Sequence, residues 1–100
     1  MGQTGLDQST PGRVTIPQHV VFRKFVDETV VLNLESGCYH GLNPIGGYML
    51  KLLGELGDVD AVIERLVEET GVAEEKAGVE LRALCASLAE RGLIEVDAES

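Results

Sequence analysis

TVVLNLESGCYHGLNPIGGYMLKLL, residues 29–53, contains two structural periods joined at Asn43. Thr29–Leu34 is rich in β-branched and aliphatic residues and reads as a strand. Glu35-Ser36-Gly37 reads as a short turn, with Gly37 suited to positive φ. Cys38–Leu42 reads as a second strand running antiparallel to the first. At Asn43 the period changes. Asn is a good N-cap because its side-chain oxygen accepts from an orphan amide of the first turn. Pro44 suits the first helical position, where a missing N–H costs nothing. Ile45, Tyr48, Met49, Leu52, Leu53 and Leu56 then recur at i, i+3, i+4, i+7, i+8 and i+11, one helical face.

Working outward, Val20–Phe25 is another β-branched and aromatic run, and Asp27-Glu28 marks the turn that joins it to Thr29. The three strands form an antiparallel meander. Beyond Gly57, Asp58 caps a second helix carrying Val59, Val62, Ile63, Leu66 and Val67, which Gly71 ends. A third helix runs from about Glu74 to Arg91, with Gly92 as its stop and Leu93 placed for the hydrophobic contact of a Schellman end. Its core stripe is Ala77, Leu81, Leu84, Cys85 and Leu88. Ile94-Glu95-Val96 reads as a short final strand. The fold class is therefore α+β: a three-stranded antiparallel β-meander followed by three α-helices, a winged-helix-like order. Residues 1–13 read as a flexible lead-in, 14–96 as one domain, and 97–100 as a frayed tail.

One hundred residues suffice for a single core. The N-terminus lacks the basic start and apolar run of a secretory signal, and no apolar stretch is long enough to span a bilayer. The cytoplasm is the expected compartment, and the two cysteines are expected to be free thiols. Net charge is −9 and unevenly spread. Residues 1–57 carry four basic and five acidic side chains, whereas residues 58–100 carry four basic and twelve acidic. The C-terminal part would repel a polyanion.

Cys38 and His40 share one face of their strand, but a zinc site needs further ligands, and His19 and Cys85 show no paired short spacing. A Cys–His dyad needs an oxyanion hole and a cleft, for which a small three-stranded domain offers little room. The favoured reading makes Cys38 a small hydrophobe and His40 a polar side chain on a partly exposed strand, with no cofactor. Gly46-Gly47 lies just inside the first helix, where it costs stability relative to Ala. It either admits another backbone at close range or is merely tolerated near a helix end.

The side of the third helix away from its core stripe carries Val79, Arg82, Ala83, Ala86 and Glu90. Small apolar residues with charges at their margins read as a shallow groove that another chain fills, or simply as good helix formers. By fold analogy this helix would read DNA, but Glu74, Glu75, Glu80 and Glu90 outnumber Lys76, Arg82 and Arg91. If Cys38–Leu42 lies at the sheet edge, an incoming extended peptide can pair with it and set apolar side chains into the groove. A DNA-binding regulator or a general protein-interaction module stays open as the alternative.

VVLNLESGCYHGLNPIGGYMLKLL resembles the pattern of the PqqD-like family, a hydrophobic strand followed by x-x-G-x-Y-x-x-L-N-x-x-G, with Gly37, Tyr39, Leu42, Asn43 and Gly46 at matching positions. ERLVEETGV and a helix ending ERGLIEV are similar to its later part, so the resemblance covers about residues 17–96. It implies a peptide-recognition domain of ribosomally made, post-translationally modified peptide pathways. Such a domain is non-catalytic. Its third strand and third helix grip a precursor's leader and present it to a partner, a radical-SAM protein or a leader-cleaving protease. The resemblance places the peptide site at Cys38, Tyr39, His40, Gly41 and Leu42 on the strand and Val79, Arg82, Ala83, Ala86 and Glu90 on the helix, with Arg82 facing an acidic leader residue. Tyr39 and Leu42 differ in parity, so a bulge at Gly41 is expected to turn Leu42 to the core. The chain is expected as a monomer or as a dimer paired through Cys38–Leu42.

Overall fold

The computed structural model describes residues 12–97, in the order β1 (Arg13–Thr15), β2 (Val20–Lys24), β3 (Thr29–Asn33), β4 (Tyr39–Leu42), α1 (Pro44–Leu56), α2 (Val59–Thr70), α3 (Glu74–Glu90) and β5 (Glu95–Asp97). The lead-in and tail expected from the sequence fall mostly on residues 1–11 and 98–100, outside the described ones. Within the described residues, Arg13 and Asp97 pair with each other in a two-stranded β1–β5 sheet. The sequence reading had no β1.

The meander is present as a three-stranded antiparallel sheet in the order β2-β3-β4. Val20 pairs with Asn33 and Phe22 with Val31; across the other ladder, Val31 pairs with His40 and Thr29 with Leu42. Side chains alternate across a strand. Val20, Thr29, Val31, Asn33 and Leu42 therefore share one face, and all are buried. α1 packs against that face, and Asn33 Nδ2 reaches Gly92 C=O at the end of α3. Leu42 reaches the core in regular register, so the expected bulge at Gly41 is not needed.

Each helix begins and ends where its sequence dictates. Asn43 Oδ1 accepts from Gly46 N–H at 2.8 Å with Pro44 next, and Asp58 accepts from Ala61 N–H at 3.0 Å. α3 ends in a Schellman motif: Gly92, at φ 73°, donates to Ala89 C=O and Leu93 to Leu88 C=O. Leu50, Leu53, Val59, Val62, Leu81 and Leu88 make the centre of the core, each at most 1% exposed. Burying each is worth roughly 1.5–3 kcal/mol. Gly47 sits on Thr29, whose side chain occupies the space a Cβ would need. At Gly47 the close neighbour is the side chain of Thr29 on β3, not the second backbone that the sequence reading expects.

Candidate functional site

β4 borders the sheet, and hydrogen-bond parity fixes what its open side offers. Asn33 N–H donates to Cys38 C=O at 2.8 Å. Antiparallel ladders alternate between pairs that exchange hydrogen bonds and pairs that do not. Residues 31 with 40 and 29 with 42 are therefore the bonded pairs in this register. The N–H and C=O of Tyr39 and Gly41 consequently turn away from β3. They are the groups available to an added strand.

Side-chain placement follows the same parity. His40 and Leu42 lie on the helix-covered face, half-buried and buried respectively. Tyr39 lies on the opposite face and is 75% exposed. Gly41 shares that face, where a Cβ would stand 2.9 Å from Glu28 Oε1. Cys38 precedes the strand in the turn. It is exposed rather than packed as a small hydrophobe, and its N–H is held by Ser36 Oγ at 3.2 Å.

Beyond the end of β4, a cleft of about 410 Å³ is lined by Asn43, Ile45, Gly46, Met49, Glu80 and Leu84. A neighbouring one of about 240 Å³ continues past Ile45 and Met49 to Val72, Lys76 and Ala77. Ile45 is 50% exposed and Leu84 half-buried, so the helical side of the edge offers open apolar surface next to the polar Asn43 and Glu80. The structure does not bring Val79 and Arg82 to this cleft. They line a separate one, about 610 Å³, against Asp60, Ile63 and Glu64 of α2. Arg82 lies across Gly78, its guanidinium filling the space a Cβ would take. At 100° per residue, Val79 and Ala86 point outward, Arg82 turns toward α2, and Ala83 turns toward Glu80 and Leu84. Ala83, Ala86 and Glu90 are exposed. Ile45, Glu80 and Leu84 line the cleft although the sequence reading places none of them in the site; the position of Leu84 at the margin of the core stripe is the signal that points to it.

Burial pushes the Cys85 thiol up to about 11. Among the described residues, no group of three or more His, Cys, Asp or Glu is arranged to hold a metal ion. Nor is any helix long and apolar enough to cross a membrane.

A helix-backed antiparallel sheet, its β4 edge open beside a cleft of mixed polarity, followed by three helices makes a winged-helix-like α+β domain. The family model for coenzyme PQQ synthesis protein D (PqqD) matches residues 28–94, and the chain belongs to that family. Among solved structures, it is 29% identical to TbiB1 in complex with the TbiA(beta) leader peptide, over 85% of this chain and 99% of that one, with a TM-score of 0.76. It also shares its fold with a lasso peptide synthetase B1 complexed with the leader peptide, at 23% identity, 83% and 98% coverage and a TM-score of 0.73. No curated protein matches the sequence.

Proposed function

We propose that this protein is a non-catalytic adaptor that binds the leader segment of a ribosomally made precursor peptide and presents it to a maturation enzyme. The observation that carries this reading is the open β4 edge, with the Tyr39 and Gly41 backbone groups directed outward beside a cleft that combines Ile45, Met49 and Leu84 with Asn43 and Glu80. Main-chain pairing to such an edge supplies affinity for any extended peptide, and the cleft supplies selectivity for its alternate side chains. Similarity to TbiB1, whose structure holds a leader peptide, supports the same assignment. The site then comprises Tyr39–Leu42 with Ile45, Glu80, Ala83 and Leu84. This revises the helix contribution away from Val79 and Arg82. A radical-SAM protein or a leader-cleaving protease is the proposed recipient.

Titration with a synthetic leader from the short open reading frame beside the gene tests the assignment, read by amide chemical shifts. Shifts concentrated at Tyr39–Leu42 and Glu80–Leu84, with micromolar or tighter affinity, are expected for a segment that orders on binding. Silence with the peptide, together with salt-sensitive shifts on adding duplex DNA, would reassign the domain to nucleic-acid binding.

A further inference from the structure

The opposite edge of the same sheet is also open. β2 pairs with β3 on one side, and among the described residues no strand pairs with its other side. Phe25 N–H donates to Glu28 C=O and Leu34 N–H to His19 C=O. Those contacts make residues 19, 21, 23 and 25 the ones bonded to β3. The C=O of Val20 and both backbone groups of Phe22 and Lys24 are therefore directed outward. Val20 N–H is held by Pro17 C=O. Apolar side chains are exposed on both faces of this edge, Val21 at 45% on one and Phe22 at 38% on the other. On the core-side face of this strand Val20 is buried, whereas Phe22 and Lys24 are exposed. A flat edge with unpaired backbone and exposed apolar side chains is a template for another strand.

We propose that β2 is a self-association edge: two copies pair antiparallel through Val20–Lys24, centred on Phe22, giving a six-stranded sheet with a β4 at each outer border. The parity permits it. A two-fold axis at Phe22 lets that residue exchange two N–H···O=C bonds with its copy, and each Lys24 N–H then reaches the other copy's Val20 C=O. The charges permit it too. In this register Arg23 lies opposite Val21 and Lys24 opposite Val20, so no like charges meet. The two-fold brings the Phe22 rings together on the helix-covered face, where aromatic cross-strand pairs are favourable. Charge distribution favours this border over the helices. Residues 13–57 carry four basic and four acidic side chains, whereas residues 58–97 carry four and eleven. Copies joined at β2 meet across the neutral part and hold the acidic helices apart. Pairing through one five-residue strand makes a small interface, so the association is weak and concentration-dependent. The dimer leaves both β4 edges open and stands whether or not those edges bind a leader.

Sedimentation equilibrium of the full chain between about 1 μM and 1 mM tests the proposal, since that range spans weak association. Monomer passing to dimer is expected. Phe22→Glu puts two carboxylates opposite each other and should weaken the dimer at least about tenfold, as should Phe22→Lys. An equimolar mixture of the two variants should restore association, which a folding defect would not do. A monomer throughout the range overturns the proposal. So does a dimer that survives Phe22→Glu and is lost on Tyr39→Pro, because that dimer pairs through β4.

Discussion

Asn33 is 7% exposed in a mainly apolar core, and its side chain is satisfied at both ends. Oδ1 accepts from Glu35 and Ser36 N–H at 2.8 and 3.1 Å, closing the β3–β4 turn, and Nδ2 donates to Gly92 C=O at 3.2 Å. One amide thus fixes the turn that launches β4 and ties it to the end of α3. Asn33→Ala leaves three part-buried backbone groups without their partner and should cost about 1–3 kcal/mol, lowering the melting temperature by roughly 10 °C in a scan. Gly47 makes a contrary case to ordinary helix propensity. Alanine inside a helix normally gains about 1 kcal/mol over glycine. Here its methyl would overlap Thr29, so Gly47→Ala should destabilise, and a denaturant midpoint that rises instead would show that β3 can yield. The two thiols separate by burial. Cys38 should react promptly with a thiol reagent at pH 8, while Cys85, 1% exposed, should react only on unfolding. Cys85 holds its proton more tightly folded than unfolded. Its contribution to stability is therefore complete below pH 9 and declines as pH rises from 9 toward 11.

At the level of elements, β4 and α3 carry different kinds of information, and the sequence disclosed them unequally. The caps at Asn43 and Asp58, the Gly92 stop and the three-strand meander all follow from local chemistry, which acts over a few residues. They were legible for that reason. The β1–β5 pair was not, because Arg13–Thr15 and Glu95–Asp97 are three-residue strands at opposite ends of the chain, with no hairpin signal between them. The apolar pattern distinguished the inside of α3 from its outside. It could not say which flank of the helix meets β4 and which meets α2, since that depends on tertiary packing. Val79 and Arg82 went to the α2 flank, and Glu80 and Leu84 to the cleft beside Asn43. A pair of variants separates these flanks. Leu84→Glu buries a charge where the leader's apolar side chains are proposed to lie and should reduce leader affinity about tenfold or more. Val79→Glu, on a side chain already 62% exposed, should leave affinity within about twofold, as surface changes usually do. Equal losses in the two, with both proteins folded, would return the groove to the outward face of α3.

Across the whole molecule, the clamp formed by the terminal strands and the proposed recognition edge sit at opposite ends of α1. β4 leads directly into its first turn, whereas β1 packs at its last: Val14 N–H donates to Gly57 C=O at 3.1 Å, and Val59 N–H to Gly12 C=O at 3.2 Å. Thirteen helical residues put these ends about 20 Å apart. The β1–β5 pair brings the two ends of the domain together and lays Val14, 4% exposed, over the junction of α1 and α2. Val14→Ala removes two buried methyl groups there and leaves a gap that a three-residue strand cannot easily collapse into. Its cost should be about 1–3 kcal/mol, seen as a lower denaturant midpoint with an unchanged slope. Leader binding should not follow. The cleft beside β4 contains no residue of β1 or β5, so at 15 °C, where the variant remains folded, its affinity should match the parent's within about twofold, as for independent distant sites. A parallel fall in affinity would mean that the terminal strands set the angle between α1 and the sheet. Recognition would then depend on the clamp through α1 itself.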